Sequence, residues 1–283
     1  MTEVYKRRLQ NLREKLKVKN MEAALVTKRE NYMYMSGFSG TSAIVYISME
    51  RSVLLTDFRY AEQAAIQAPD FEIIQYSDSY FDDLNQLIKN DGIRRLSFED
   101  NHMTYFEYRE YADKLKVNEL VPMGRMIEEL RRIKDEEEIQ RIKDAADVAD
   151  RTFSHILPFI KPGVAEIELA SEMEYHMRRL GADGPSFDTI VASGKRASMP
   201  HGIASEKKIE AGDVITLDFG AHYHGYCSDI TRTVFLGKPD EELLKIYDIV
   251  LKANMLGLET VRSGITGQQT DAVVRSFIAQ AGY

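Results

Sequence analysis

Asp218 and Asp229 stand eleven residues apart in the segment Val214 to Phe235, VITLDFGAHYHGYCSDITRTVF. Both arms of this segment alternate polar and apolar residues, the period of a half-buried strand. A β-hairpin is expected. Closing it on a four-residue turn, His222 to Gly225, sets Asp218 opposite Asp229 on one face with Thr216 opposite Thr231 beside them. Leu217 then faces Ile230 on the other side. Like charges directly opposite on a sheet are destabilising. A fold that keeps them needs a shared proton or a cation between them. Hard carboxylate oxygens point to a divalent metal ion. Two solvated aspartates on an exposed sheet face are the plainer alternative.

Other residues of suitable type are weaker candidates. His201 lies in Pro200-His201-Gly202, a turn, where a lone histidine is ordinarily a surface residue. His222 and His224 form a His-x-His of the kind that chelates zinc on a strand, but in a turn polar residues are expected anyway. His102, His155 and His176 read as structural or exposed. Cys227 is the one cysteine, so no internal disulfide forms; it reads as a small strand residue. By parity Arg232 lies on the face opposite the aspartates, as an ion-pair partner. Arg59 follows a strand end and is expected to be structural.

The elements that must position these residues fit a chain of 283 residues, long enough for two domains. Hydrophobic content of 44% and charged content of 29% describe a globular protein. A net charge of −8, with no basic domain, argues against nucleic-acid binding. Lys6 to Arg8 and Arg131-Arg132 read as solvated helix faces. No apolar run approaches the roughly 20 residues that span a bilayer, and the opening MTEVYK lacks an apolar signal core. A cytoplasmic protein without membrane or nucleic-acid partners is expected.

Residues 1–132 alternate helical and strand patterns as one α/β domain. Helices are expected from Tyr5, at Tyr60–Gln67, Phe81–Lys89 and Thr104–Lys114. Strands are expected at Ala23–Thr27, Ser42–Ser48, Arg51–Thr56, Phe71–Tyr76 and Arg95–Glu99. A second domain, 133–283, opens at Lys134-Asp-Glu-Glu-Glu138, whose acids suit a helix N-terminus. It contains an internal repeat at a shift of 101 residues. Ala149 falls on Val250, Gly163 on Gly264, Met173 on Val274 and Gly181 on Gly282. The first copy, about 136–236, continues into strands, including one at Phe187–Ser193. The second copy stops after its helices. Its strand half is expected to be missing, leaving an exposed strand edge and uncovered apolar surface. The isolated chain is then expected to be oligomeric or poorly soluble, or to fold well in its first domain with a loose second, and to be cut first by proteases after roughly residue 132.

Ser186–Gly194 (SFDTIVASG), Met199–Gly202 (MPHG), Leu217–Gly220 (LDFG) and Gly225–Thr233 (GYCSDITRT) resemble the pita-bread metallopeptidases. Within these, the chain is most similar to Xaa-Pro aminopeptidases and Xaa-Pro dipeptidases. Phe38–Thr41 (FSGT) and Leu55–Tyr60 (LTDFRY) resemble their creatinase-like N-terminal domain. The resemblance implies an α/β (α+β) architecture: a creatinase-like domain, then a pita-bread domain left incomplete in its second repeat. It implies hydrolysis of the peptide bond preceding proline by two divalent ions (Mn, Co or Zn), and a homodimer. Asp218 and Asp229 match two of five metal ligands; the remaining His and two Glu would lie beyond residue 283. His201 matches a histidine beside the substrate. The chemistry implied is attack by a metal-activated water, with a carboxylate accepting its proton. As it stands, the chain is expected to be inactive. A non-catalytic binding relative and a creatinase-like amidohydrolase are the alternatives, since fold does not fix function.

Overall fold

The segments AALV, IVYIS and SVLLT are apolar on consecutive residues rather than alternating, as a sheet covered on both faces requires. They are β1 (Ala23–Val26), β2 (Ile44–Ser48) and β3 (Ser52–Thr56), the middle of a six-stranded sheet. The computed structural model, which describes residues 3–283, divides into two units, one running to Asp135 and the other Glu136–Tyr283. The first unit also holds α1 (Glu3–Val18), α2 (Arg29–Ser36), α3 (Ala61–Gln67), β4 (Glu72–Gln75), α4 (Phe81–Asn90), β5 (Arg95–Phe98), α5 (Tyr105–Lys114), β6 (Glu119–Pro122) and α6 (Met126–Arg131). The sheet order is β4-β3-β2-β1-β5-β6, antiparallel from β1 to β3 and parallel elsewhere.

Leu9, Leu12 and Leu16 of α1 pack with Tyr32, Met35, Met126 and Ile127 on one face of this sheet. Phe81, Leu84, Leu87 and Ile88 of α4 pack with Tyr111 on the other. Two elements were not anticipated, α2 and β6, and of α6 only the helical pattern at Arg131-Arg132 was. They are short, and α2 is held by a distant residue. Glu99, 1% exposed, accepts hydrogen bonds from the Thr27 and Lys28 amides (2.6 and 2.7 Å) and from Asn31 Nδ2 (2.6 Å). An anion there satisfies donors that the start of a helix leaves open.

The second unit holds α7 (Glu136–Ile156), α8 (Glu166–Arg179), β7 (Gly184–Pro185), β8 (Ile190–Ser193), β9 (Val214–Phe219), β10 (Ala221–Tyr223), β11 (Tyr226–Cys227), β12 (Ile230–Phe235), α9 (Glu241–Thr260) and α10 (Gly267–Gln280). Its strands make two three-stranded sheets, β12-β9-β8 and β11-β10-β7. The stretch expected as one strand, Phe187–Ser193, is thus shorter, with β7 ahead of it in the other sheet. Val148, Ala149 and Ile156 of α7 and Leu169, Met173 and Met177 of α8 pack with Val191, Ile215, Leu217 and Phe219.

The helices α9 and α10 repeat the local form of α7 and α8. Gly163 and Gly264 have φ of +88° and +89°, and Gly181 and Gly282 have +96° and +89°. In one copy the Ala165 amide donates to Glu168 (2.6 Å); in the other the Thr266 amide donates to Gln269 (2.9 Å). The surroundings differ. Ala149 is 0% exposed and its counterpart Val250 is 48%. Among the described residues α10 has no buried residue, and α9 has two, Ala253 and Gly257. At Gly257 a Cβ would come within 3.0 Å of Val274, so close approach of α9 and α10 covers only the seam between them.

Candidate functional site

The hairpin forms with a shorter turn than expected. His224 (φ +48°) and Gly225 (φ +82°) are both left-handed, the signature of a two-residue type I′ turn, whose twist matches that of the flanking strands. His222 pairs with Cys227 and Tyr223 with Tyr226. The register therefore slips by two from the expected one. Asp218 pairs with Thr231, Thr216 with Thr233 and Leu217 with Arg232. The expected opposition of Asp218 and Asp229 is corrected: no like charge faces Asp218. Instead Thr231 Oγ1 donates to Asp218 Oδ1 at 2.9 Å. A slip of two preserves parity. Asp229, opposite Gly220 by the flanking pairs, stays on the parity of Asp218. Ile215, Leu217 and Phe219 are buried on the other parity, Asp218 is half-buried and Asp229 exposed.

Between the aspartates the chain changes sheets at Gly220. A Cβ there would lie 1.9 Å from the Ser228 carbonyl oxygen and 2.3 Å from Ser186 Oγ. Ser186 donates from its amide to the Gly220 carbonyl (2.9 Å) and from Oγ to the Ser228 carbonyl (2.8 Å). Ser228 Oγ accepts from the Ala221 amide (2.9 Å). These two serines fix the bend. Neither carried a role in the sequence reading, because a serine beside a strand end is unremarked composition.

His201 is exposed, in a turn after the 3-10 helix Gly194–Ser198. Two residues later Ile203 bridges to Ile190, and Ile190 pairs with Asp218. One row thus crosses the sheet: Thr231, Asp218, Ile190, Ile203. Adjacent strands are spaced about 4.8 Å, so the Asp218 and Ile203 backbones are about 10 Å apart. Residues from three separate motifs meet on one sheet, and Thr216 Oγ1 also touches the Ala197 carbonyl at 3.5 Å.

The remaining candidates have structural partners. His222 Nδ1 lies 3.2 Å from Asp183. His155 stacks on His176 at 3.8 Å and sits 2.7 Å from Glu172. Burial, then the neighbouring His155, lowers the His176 pKa. Arg232 Nη2 lies 3.9 Å from Asp150. Arg59 is bidentate on Asp57 (2.9 and 2.8 Å), and this bond holds the Asp57 carboxyl down to about 2. His224 and Cys227 are exposed.

Asp218 and Asp229 are donors of the type a hard divalent cation takes. Among the described residues, however, no group of three or more His, Cys, Asp or Glu is gathered to hold a metal. These two alone do not fit a divalent centre.

A doubly covered mixed sheet, then a helix pair on strands that bring Asp218 beside the His201 turn, is the build of creatinase/prolidase-type hydrolases. Residues 8–133 match the creatinase/prolidase N-terminal domain and residues 140–283 match metallopeptidase family M24; the chain belongs to this family. It is 47% identical to the uncharacterized peptidase YqhT of Bacillus subtilis, over 98% of this chain and 78% of that protein. It is 34% identical to the Xaa-Pro dipeptidase of Pyrococcus furiosus, with the same coverage. Its fold is similar to the Xaa-Pro dipeptidase of Bacillus anthracis (TM-score 0.95, 44% identity, 99% of this chain and 78% of that one). It is also similar to the X-Pro aminopeptidase of Thermotoga maritima (TM-score 0.90, 36% identity, 95% and 78%). The pita-bread scaffold is shared with these relatives. No helix among the described residues is long and apolar enough to cross a membrane.

Proposed function

We propose that the scaffold serves metal-dependent hydrolysis of the peptide bond preceding proline. One observation carries this reading. Asp218 shares a row of one sheet with Ile203, two residues after His201, in a chain 44% identical to an Xaa-Pro dipeptidase of known structure. Asp218 and Asp229 are the carboxylates that would contribute to the ion site; Thr231 orients the first by its hydrogen bond. His201, exposed at the rim of the sheet, would hydrogen-bond the substrate beside the reacting carbonyl. Proline-containing dipeptides or short peptides are the substrate class, and Mn, Co or Zn the divalent ion, Mn being among those that carboxylate oxygen suits. A cytoplasmic homodimer is the form this reading expects.

The 283 residues alone are proposed to be weak in metal binding and nearly inactive, since two carboxylates leave a divalent ion mostly hydrated. Two assays check both halves of the reading. Titration of the chain with Mn²⁺ should give a Kd of roughly millimolar, and an Xaa-Pro dipeptide should remain intact. Efficient cleavage by the chain itself refutes the inactivity. A hybrid extended with the remaining part of the Bacillus anthracis dipeptidase should cleave the dipeptide with added metal, and Asp218→Asn should abolish this. A hybrid that hydrolyses creatine and spares dipeptides moves the assignment to an amidohydrolase.

A further inference from the structure

Glu166 is the first residue of α8 and is 0% exposed. Its carboxylate collects five hydrogen bonds. Oε1 accepts from the Ser193 amide (2.7 Å) and Ser193 Oγ (2.8 Å). Oε2 accepts from Arg196 Nε (3.0 Å), the Ser205 amide (3.2 Å) and Ser205 Oγ (2.6 Å). Ser193 ends β8, and Ser205 closes the arc that begins there. One carboxylate therefore ties both ends of the segment that carries His201. Arg196 adds a strap across the arc, donating from Nη2 to the Ile203 carbonyl at 2.7 Å. Inside the strap the arc folds tightly: the Gly202 amide donates to Met199 (3.1 Å) and the Ile203 amide to His201 (2.9 Å). A Cβ on Gly202 would come within 3.1 Å of Ala192 Cβ, so the turn rests directly on β8. Lys207 braces the other side, donating to Ser193 Oγ (2.9 Å) and Asp213 (2.8 Å).

Such a group is costly to bury unless every lone pair is used. The open amides at the start of α8 have other acceptors: the Ala165 amide donates to Glu168, the Glu166 amide to the Lys207 carbonyl (3.0 Å) and the Ile167 amide to the Ser205 carbonyl (3.0 Å), and none of the five donors to the Glu166 carboxylate belongs to α8. Capping α8 therefore leaves Glu166 unexplained. We infer that Glu166 is a positioning residue: through Ser193, Ser205 and the Arg196 strap it sets where the His201 turn stands relative to the Asp218 row. The clamp stands on hydrogen bonds alone. The substrate-facing role of His201 rests on the reading under Proposed function.

The test reads the turn directly, in the full chain, by amide hydrogen exchange and by the imidazole NMR signals of the six histidines. Glu166→Gln should speed exchange at Gly202 and Ile203 about tenfold or more, the loss of at least one charge-assisted hydrogen bond. The His201 signals should move while those of His155, His176 and His222 stay. Glu166→Asp, which keeps the charge, should restore part of the protection. Should Glu166→Gln unfold the second unit, Arg196→Ala decides the matter: its side chain is partly exposed, and it removes only one donor and the strap. Unchanged exchange at Gly202 and Ile203 in the folded variant, or shifts spread evenly over all histidines, overturns the inference. Because no step needs metal or substrate, failure of the peptidase reading would leave this result intact, and the reverse also holds.

Discussion

The α7–α8 pair and the α9–α10 pair carry the same helical pattern in the same local geometry, with different fates. In the first, Met173 is 0% exposed against the sheet. In the second, its counterpart Val274 is half-buried, facing Gly257 of the neighbouring helix. Glycine turns and the reach of Glu168 or Gln269 back to the helix start recur in both. What separates them is the sheet β8-β9-β12, which packs into a core with the first pair, whereas α9 meets it at the Phe235–Tyr247 ring contact (5.7 Å). Local sequence makes the helical hairpin; the sheet makes it a core.

The comparison breaks most directly in the core. Met173→Ala should cost about 2–5 kcal/mol in urea unfolding, whereas Val274→Ala should cost about 0.5–1 kcal/mol. Equal costs would mean that the α10 face is covered in solution, as by a second copy of the chain. Acid should come next. The residue aligned with Glu166 in the second copy is Gly267, so only the first pair has a buried carboxylate at its second helix. Burial pushes the Glu166 carboxyl up, but its bonds from Ser205, Ser193 and Arg196 outweigh burial and hold it below the usual range. A depressed acid stabilises fully above the unfolded value, about 4.3, and that contribution fades as pH falls through the folded one. Urea midpoints of the wild type should therefore drop more steeply below about pH 4.3 than those of Glu166→Gln.

The glycine turns give a smaller, paired effect. Gly163→Ala and Gly264→Ala force alanine into the same left-handed backbone, each costing about 1–2 kcal/mol. The first should lower the midpoint of the second unit. The second should show as faster amide exchange within α9 and α10 alone. Smallest are the helix starts. Glu168→Ala and Gln269→Ala should each cost roughly 0.5–1 kcal/mol, read again as midpoint against local exchange.

Much of this was legible in residue patterns. Consecutive apolar runs marked β1, β2 and β3, and alternation marked β9 and β12. Aligned glycines marked the repeat. The hairpin register was misjudged by two because a His-Gly turn gives a weaker signal than Asn-Gly or Asp-Gly, and the polar residues on either side allow two closures. α2 escaped notice because Glu99, its support, lies 68 residues beyond Asn31 in the chain. Glu166 could not be read at all. It looked like any acid in a first helical turn, and only the path of the chain from Ser193 to Ser205 shows what it holds. Periodicity reports burial along one element; it says nothing of a side chain whose partners come from elsewhere.

Gly220 has a consequence for mutational tolerance. Its φ is not left-handed, so its backbone would accept any side chain, yet the space a Cβ needs is already filled by the Ser228 carbonyl. Gly264 is the converse, left-handed but with no heavy atom within 4 Å of where a Cβ would stand. In a library sampling every residue type at each position, Gly264 would return asparagine as well as glycine. Position 220 would return glycine alone, because the chain there has room for one letter.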